Sequence, residues 1–397
     1  MATASSDHTC RVWELPADPA SAGGPRPVAV LAGAADPVTG AAGATHDGPV
    51  WRCAWAHPRF GALVATCGLD HRVCVWRGPP GGDGPGWDRV WRSGPGYHGA
   101  GVVGLSFAPE RWGLGIASGD AAGHVRVAVH RGGASDGAGA DASGGEAGPA
   151  RWDVEAVPGD GSGAAGAPAH PGGCLAVSFS PDFGPDPGAD AASAAAAPPL
   201  RLATAGADRA VRIWRRRAAL AGFDDASGGA VTAPCPASAP GVWESDGPPL
   251  RGPHRGWVRD VAWCPAPGAA RAAVASCSDD GVAVVWTETG GNGGSGEATW
   301  TAEPLSRRCP QTGAPEPLGG ACWSVAWSTS GDLLAVTHDI AMEGDADAAG
   351  AAAAAAGAAS GVAPGAAAPG ARSGRRTSLF ALGVGGGWEH TGTQDCQ

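Results

Sequence analysis

The chain has 397 residues, of which 43% are apolar, and a formal net charge of −11 at pH 7. This apolar fraction is ample for a core, whereas the acidic balance and the lack of a basic run longer than Arg215–Arg217 argue against binding to nucleic-acid phosphates. No signal peptide and no apolar stretch of about 18 residues is found, so we expect the chain neither to enter nor to span a membrane by itself.

The sequence contains 11 cysteines, and no two of them are separated by only two residues. A zinc site would require such clustering, and no paired histidine spacing accompanies them. We therefore predict no metal and no cofactor. Unpaired thiols in apolar strand segments behave as small buried hydrophobes and are typical of a reducing compartment. Five cysteines follow this pattern: Cys53, Cys67, Cys74, Cys277 and Cys322.

One pattern recurs along the chain: Ser or Thr, then Asp four residues later, then Trp six residues after the Asp. The four copies are Thr3/Asp7/Trp13, Thr66/Asp70/Trp76, Thr204/Asp208/Trp214 and Ser276/Asp280/Trp286. A histidine precedes three of them, namely His46, His170 and His254. A supersecondary unit repeated at this scale predicts a solenoid or a propeller.

Each repeat unit contains four predicted strands, which the second unit illustrates. They are 50–55, 63–67, 72–76 and 87–92, with period-two alternation bounded by Gly, Pro and Asp clusters. Fourth strands elsewhere also begin near a tryptophan: Trp152, Trp243, Trp300 and Trp388. Short antiparallel strands in sets of four are typical of propeller blades.

The whole chain is predicted to be a single all-β, six-bladed propeller. The blades span 1–33, 46–93, 98–157, 170–245, 254–305 and 320–393. Low-complexity inserts have too little apolar content to fold, and we expect them to be disordered surface loops. They span 34–44, 132–150, 184–199, 218–240, 290–296 and 343–377.

The recurring side chains are predicted to be structural rather than catalytic. A His–Ser–Asp set that appears several times is hard to reconcile with one active site. Instead, Asp can bind backbone amides or the His, the His can bind the Ser/Thr hydroxyl, and that hydroxyl can bind the Trp indole. Two blades depart from the pattern and should be less rigid. In blade three, Ala122 and Ala128 stand where Asp and Trp would fall, and in blade six Val336 replaces Ser/Thr.

Three segments resemble the Sec-thirteen family of WD-repeat proteins. They are residues 46–58 (HDGPVWRCAWAHP), 254–263 (HRGWVRDVAW) and 274–281 (VASCSDDG). The resemblance extends in register over all six blades without the inserts, about two thirds of the chain. The Ser/Thr–Asp–Trp pattern alone indicates only a WD-repeat protein, whereas the longer segments are much more specific.

The resemblance implies an open propeller that lacks its own closing blade. In that family a partner supplies the blade: the rod-forming large subunit of the COPII outer coat, or a helical-solenoid nucleoporin of the nuclear pore outer ring. The implied function is a non-enzymatic scaffold in transport from the endoplasmic reticulum to the Golgi and in the nuclear pore. The implied location is cytoplasmic, peripheral on COPII vesicles, and at the nuclear envelope. Membrane association would occur only through the coat, and no direct nucleic-acid contact is expected.

Blade one departs from the family because the extra apolar strand that precedes the segment matching 2–7 is absent. We expect that blade to lack its innermost strand and to flank the opening, which indicates either an incomplete gene model or a form that binds its partner less well. The edge expected to receive the partner blade comprises Val12, Trp13, Trp323, Val325, Trp327, Leu379 and Phe380.

Two other functions stay open at this stage. One is a different WD-repeat adaptor, such as a ubiquitin-ligase substrate receptor or a signalling scaffold, which usually closes its own seven-bladed ring. The other is an enzyme, for which the His/Asp/Ser clusters are the sole motivation. A ring that closes itself would favour the adaptor over the open scaffold. Measured catalytic turnover would be needed to support the enzyme.

Overall fold

A computed structural model describes thirteen segments of the chain. These are residues 1–16, 24–32, 45–79, 86–131, 151–159, 166–181, 199–218, 241–265, 272–290, 299–308, 315–339, 375–383 and 387–396. The predicted inserts lie almost wholly outside these segments. Within them the protein is all-β, with six blades in a β-propeller arrangement and two single-turn 3₁₀ segments at Pro58–Phe60 and Glu110–Trp112.

The first three blades cover the N-terminal part of the chain. Blade one is a three-stranded antiparallel sheet, and blades two and three have four strands each. Blade one consists of β1 (Ala2–Ala4), β2 (Cys10–Glu14) and β3 (Arg26–Leu31). Blade two consists of β4 (Val50–Trp55), β5 (Leu63–Gly68), β6 (Val73–Arg77) and β7 (Asp88–Arg92). Blade three consists of β8 (Val102–Phe107), β9 (Gly115–Asp120), β10 (Val125–Arg131) and β11 (Arg151–Ala156).

The last three blades also have four strands each, and a two-stranded hairpin lies between blades five and six. Blade four consists of β12 (Cys174–Phe179), β13 (Arg201–Gly206), β14 (Val211–Ala218) and β15 (Gly241–Ser245), and blade five of β16 (Val258–Trp263), β17 (Ala273–Ser278), β18 (Ala283–Gly290) and β19 (Thr299–Pro304). The hairpin consists of β20 (Arg307–Arg308) and β21 (Pro315–Glu316). Blade six consists of β22 (Cys322–Trp327), β23 (Leu333–Asp339), β24 (Arg375–Leu382) and β25 (Trp388–Cys396).

The observed strands agree with the expectation for the second unit within one residue at each end. Three insert boundaries need correction, because Ala218 belongs to β14, Gly290 to β18 and residues 375–377 to β24. β24 therefore begins at Arg375, inside the insert predicted to run to residue 377, because residues Arg375–Thr377 continue the pairing with β23.

The blades pack side by side in chain order around a central channel. The first strand of each four-stranded blade is the innermost, since β4, β8, β12, β16 and β22 pack in succession, and β1 of blade one packs on β4. Within the described residues no comparably packed pair joins β22 with blade one. Blade one has no strand in the innermost position, as expected from the sequence.

The turn between the second and third strands has the same backbone form in four blades. The residue after the repeated Asp has a positive φ: His8 (68°), His71 (63°), Arg209 (62°) and Gly281 (77°). In three of these blades the Asp Oδ1 accepts a hydrogen bond from a backbone N–H two residues later: Asp7 from Thr9 (3.0 Å), Asp70 from Arg72 (3.2 Å) and Asp280 from Val282 (3.0 Å). This local bond stabilises a left-handed residue that would otherwise be strained.

Blades two to five each bury a small residue opposite an aliphatic one on the face toward the next blade. In blades two to five the small residue is a completely buried alanine, and its cross-strand partner is at most 3% exposed. These pairs are Ala65–Val75, Ala117–Val127, Ala203–Ile213 and Ala275–Val285. The pair is therefore a repeated element of the interface between neighbouring blades.

Candidate functional site

Blade two contains a complete chain of hydrogen bonds through its buried polar side chains. His46 Nδ1 lies 2.8 Å from Asp70 Oδ1, and His46 Nε2 lies 2.8 Å from Thr66 Oγ1. The Trp76 indole N–H donates to the same hydroxyl oxygen at 2.9 Å. The carboxylate fixes the imidazole proton on Nδ1, so Nε2 accepts from the Thr66 hydroxyl. Every polar group in the set is thus satisfied within one blade.

Blade four repeats this arrangement with one addition. His170 contacts Asp208 at 2.8 Å and Thr204 at 2.7 Å, and Trp214 donates to Thr204 at 2.8 Å. The Arg212 guanidinium also donates to Asp208. Burial raises the pKa of Asp208, but the bonds and charges of His170 and Arg212 outweigh burial and hold that pKa at about 2.

Blade five has the same residues but one connection fewer. His254 Nε2 and the Trp286 indole both contact Ser276 Oγ, at 2.7 and 2.8 Å. Asp280 Oδ2 accepts from the backbone N–H groups of Arg255 and Gly256 instead of from the histidine. His254 Nδ1 is buried without a hydrogen-bond partner, and burial lowers the pKa of His254 to about 4.

Blade one holds only part of the set. The Trp13 indole N–H donates to Thr3 Oγ1 at 2.7 Å. Asp7 is turned away from them and accepts from the Thr9 backbone and hydroxyl at 3.0 and 2.6 Å. The Thr9 hydroxyl bond is the main cause that lowers the pKa of Asp7 to about 2.

Blades three and six depart from the repeated pattern but still hold hydrogen-bonded histidines. In blade three His98 contacts Asp120 at 3.0 Å and Ser118 at 2.8 Å. Asp120 ends the second strand, two residues after Ser118 rather than four, so a search at fixed spacing misses it. In blade six the histidine itself sits on the second strand, where His338 Nε2 lies 2.9 Å from Ser378 Oγ on the third strand.

The histidine sets offer no open reaction centre. His46, His98, His170 and His338 are each at most 3% exposed, and their hydroxyl partners are completely buried. Burial lowers the pKa of His98, His170 and His338, which favours neutral imidazoles that donate to a carboxylate or a carbonyl. A nucleophile needs access to a substrate, and none of these hydroxyls has it.

In blade six the small–aliphatic pair is not fully buried. Ala335 pairs with Leu379 in the register that Ala65 and Val75 occupy in blade two. In blade six, however, Leu379 is 40% exposed and Ala335 only half-buried. Leu333 lies beside them on the same face and is 44% exposed. This face, defined by Leu333, Ala335 and Leu379, is named the acceptor face.

Blade one contains an incompletely buried tryptophan at a matching position. Trp13 holds the place that Trp76, Trp214 and Trp286 hold in their blades, where the preceding blade covers each indole almost completely. Trp13 is only half-buried. Blades six and one therefore expose the same kinds of side chain that neighbouring blades bury against each other elsewhere in the described part of the propeller.

The seven predicted edge residues divide between the two sides of their blades. Trp13 and Leu379 belong to no buried cluster shared with a neighbouring blade among the described residues. The other five contact the neighbouring blade, so this part of the predicted edge is corrected. Val12 is buried with side chains of blade two. Val325 and Phe380 are buried against blade five. Trp323 stacks on Arg259 of blade five, and the Trp327 indole N–H donates to the carbonyl of Ala262, also in blade five, at 3.0 Å. Because successive side chains alternate faces, membership of an edge strand does not determine which side chains a partner meets.

A polar contact crosses the central channel between blades that are not neighbours. The Arg52 guanidinium on β4 donates to Asp260 Oδ1 on β16 at 3.1 Å. Asp260 Oδ2 accepts from the Ser324 hydroxyl at 2.9 Å and the Val325 N–H at 3.2 Å, both on β22. The negative charge of Asp260 raises the pKa of Arg52. Sequence reasoning missed this contact because the two residues are 208 positions apart.

Among the described residues, no group of three or more His, Cys, Asp or Glu side chains is placed to hold a metal ion. The described segments also contain no helix long and apolar enough to cross a membrane.

Comparisons with known proteins agree with this architecture. The family "WD domain, G-beta repeat" matches residues 43–77 and 248–287. The chain is 29% identical over 293 residues to "Protein SEC13 homolog" of Drosophila melanogaster, a match that covers 74% of this chain and 63% of that protein, which is less than two thirds of its length. It is also 29% identical over 349 residues to "Protein transport protein SEC13" of Cryptococcus neoformans, with 85% and 83% covered. "Protein transport protein SEC13 homolog A" of Arabidopsis thaliana is 29% identical over 337 residues, with 85% and 83% covered.

Proposed function

Because the chain belongs to the Sec-thirteen (SEC13) family of WD-repeat proteins, we propose that it is a non-enzymatic scaffold in protein transport. Its specific role is a subunit of the COPII outer coat and of the nuclear pore outer ring. The propeller is open, and a partner closes it by inserting a blade between blades six and one. The partner is the rod-forming coat subunit on vesicles or a helical-solenoid nucleoporin at the pore.

The observation that carries this proposal is the exposure of the acceptor face. The small–aliphatic pair is buried at the four interfaces that follow blades two to five, yet in blade six Leu379 remains 40% exposed. An aliphatic side chain in the middle of a sheet face is stabilised when another sheet covers it, by about 1.5–3 kcal/mol for full burial. Exposed apolar sheet faces mark sites of protein association.

The half-buried Trp13 supports the same site from the other wall. A blade inserted between the walls would cover Leu379 on one side and Trp13 on the other, and would restore the burial that every other blade has. A scaffold role without catalysis is supported by the burial of the His, Ser/Thr and Asp sets. Under this proposal the protein is found on vesicles that leave the endoplasmic reticulum and at the nuclear envelope, held there by its partners.

Co-purification of the tagged full chain from its own cells tests the proposal. A recovered partner should lose affinity for the Leu379→Asp variant, because a carboxylate on the acceptor face would be buried without a counter-ion. Val154→Asp is the matched control, since Val154 is a similarly exposed aliphatic residue on the outer strand of blade three. A partner retained equally by both variants would contradict the proposed insertion site.

The alternative is a self-closing WD-repeat adaptor that binds substrates elsewhere on the propeller. It predicts that no partner covers Leu379 and that Leu379→Asp leaves all partners bound. Protection of the acceptor face from solvent labelling in the purified complex therefore separates the two functions.

A further inference from the structure

The interfaces between neighbouring blades follow one packing rule. The preceding blade contributes the small–aliphatic pair described above. The following blade contributes a cross-strand pair from its second and third strands, in which an aliphatic side chain lies beside an aromatic one. These pairs are Val64–Trp76, Leu202–Trp214, Val274–Trp286 and Leu334–Phe380, whereas blade three has Ile116–Ala128.

The two kinds of pair contact each other within the same buried clusters. Ala203 and Ile213 of blade four pack with Val274 and Trp286 of blade five. The interfaces between blades three and four and between blades five and six are built in the same way, each within a single cluster. Between blades two and three, Ile116–Ala128 takes the place of the aliphatic–aromatic pair. An alanine leaves a depression in the sheet face, and a bulky aromatic or branched side chain from the next blade fills it.

Each wall of the opening carries one half of such an interface. Ala335–Leu379 of blade six is the small–aliphatic half, and its face is uncovered. Trp13 of blade one belongs to the aromatic half. The walls are thus complementary to two different faces of a single missing blade.

We propose that the inserted partner blade presents an aliphatic–aromatic cross-strand pair to Ala335–Leu379 and a small–aliphatic pair to Trp13. The occupant is a sheet-forming segment of another polypeptide, with large side chains on one face and small ones on the other. This inference rests on the proposed function. It specifies the side-chain chemistry by which the chain distinguishes its partner from other exposed strands.

A second copy of blade five supplies a probe of that chemistry. The segment 254–305, joined to the C-terminus of the full chain by a flexible glycine–serine linker, carries Val274–Trp286 on one face and Ala275–Val285 on the other. We expect a higher thermal midpoint than for the chain with the linker alone, and a monomeric fusion by light scattering. We also expect the Trp13 and Leu379 positions to become protected from solvent labelling.

Changes on the acceptor face separate a fitted blade from a nonspecific attachment. Leu379→Asp in the fusion should abolish the gain in midpoint, whereas Val154→Asp should keep it. Within the appended copy alone, Trp286→Ala should reduce the gain, and Trp286→Phe should largely retain it. Dimers of the chain with the linker alone would show that a second copy of the chain occupies the opening, which would overturn the proposal.

Two results distinguish failure of the packing rule from failure of the scaffold function. If the appended blade gives no gain, or a gain that survives Leu379→Asp, the rule is wrong even when the natural partner still depends on Leu379. If the natural partner binds Leu379→Asp as well as the unaltered chain, the proposed insertion site itself is wrong.

Discussion

Removal of one hydroxyl group tests whether the buried hydrogen-bond chain stabilises its blade. Thr66→Val replaces the hydroxyl with a methyl group of similar size, so no cavity forms. The change leaves His46 Nε2 and Trp76 Nε1 without their shared partner, and both are completely buried or nearly so. Each orphaned group costs about 1–3 kcal/mol, which gives a loss of about 2–6 kcal/mol in the free energy of unfolding.

Thr3→Val provides a matched control within the same protein. Thr3 binds a single group, the Trp13 indole N–H, and that indole is only half-buried in the isolated chain. Water can replace the lost partner, so the expected loss is below about 1 kcal/mol. The two substitutions have identical chemistry, and they differ in the burial and number of the groups left behind.

Urea unfolding followed by circular dichroism gives the two free energies, and native-state hydrogen exchange shows whether the loss is confined to blade two. The expected pattern is a large loss for Thr66→Val, with faster exchange in β5 and β6, and a small one for Thr3→Val. Equal losses for the two variants would refute the claim that satisfaction of buried polar groups, rather than threonine itself, stabilises the blade.

Three further predictions concern ionisable side chains, namely Glu155, Arg52 with Asp260, and His254. Glu155 binds the Arg216 guanidinium at 2.6 and 2.9 Å between blades three and four. Glu155→Ala should therefore lower the free energy of unfolding, measured in urea, by about 3–5 kcal/mol. A small loss would show that the pair is readily hydrated. A double-mutant cycle of Arg52→Gln with Asp260→Asn should give a coupling of about 0.2–1 kcal/mol, because the Arg52 side chain is 37% exposed and partly screened; a coupling well above about 1 kcal/mol would contradict that screening. The pKa of His254 is lowered to about 4 in the folded protein, against about 6.5 in the unfolded chain. Between these values the unfolded state binds more protons, so the free energy of unfolding should fall as the pH drops from about 6.5 towards 4. His254→Gln should flatten that part of the stability curve measured at successive pH values, and an unchanged slope would contradict the assignment.

Much of the architecture was predictable because it is local and repeated. The Asp turn, the alternation of buried side chains and the Ser/Thr–Trp spacing are all set by residues close together in sequence, so six blades and the three-stranded first blade could be inferred. In blades three and six, the carboxylate or the imidazole of the hydrogen-bond set comes from a position other than the one that the repeated pattern specifies. Asp120 lies nearer to its serine than the pattern allows, and His338 comes from another strand.

The candidate site was less accessible to sequence reasoning. The sequence identified blades one and six as the borders of the opening, but it placed Val12, Val325 and Phe380 among the contact residues, although their side chains are buried against neighbouring blades. Period-two alternation indicates that two faces exist, and it does not state which face a neighbour covers.

The sequence by itself determined that this chain forms short four-stranded units, how many there are, and which side chains recur in them, because those features depend on spacing along the chain. The tertiary structure alone decided which faces are covered. Ala335 and Leu379 resemble the buried pairs of the other blades in residue type, but among the described residues no blade packs over them. The link from Arg52 to Asp260 was likewise decided by the ring, since only the arrangement of blades around the channel brings residues 208 positions apart into contact.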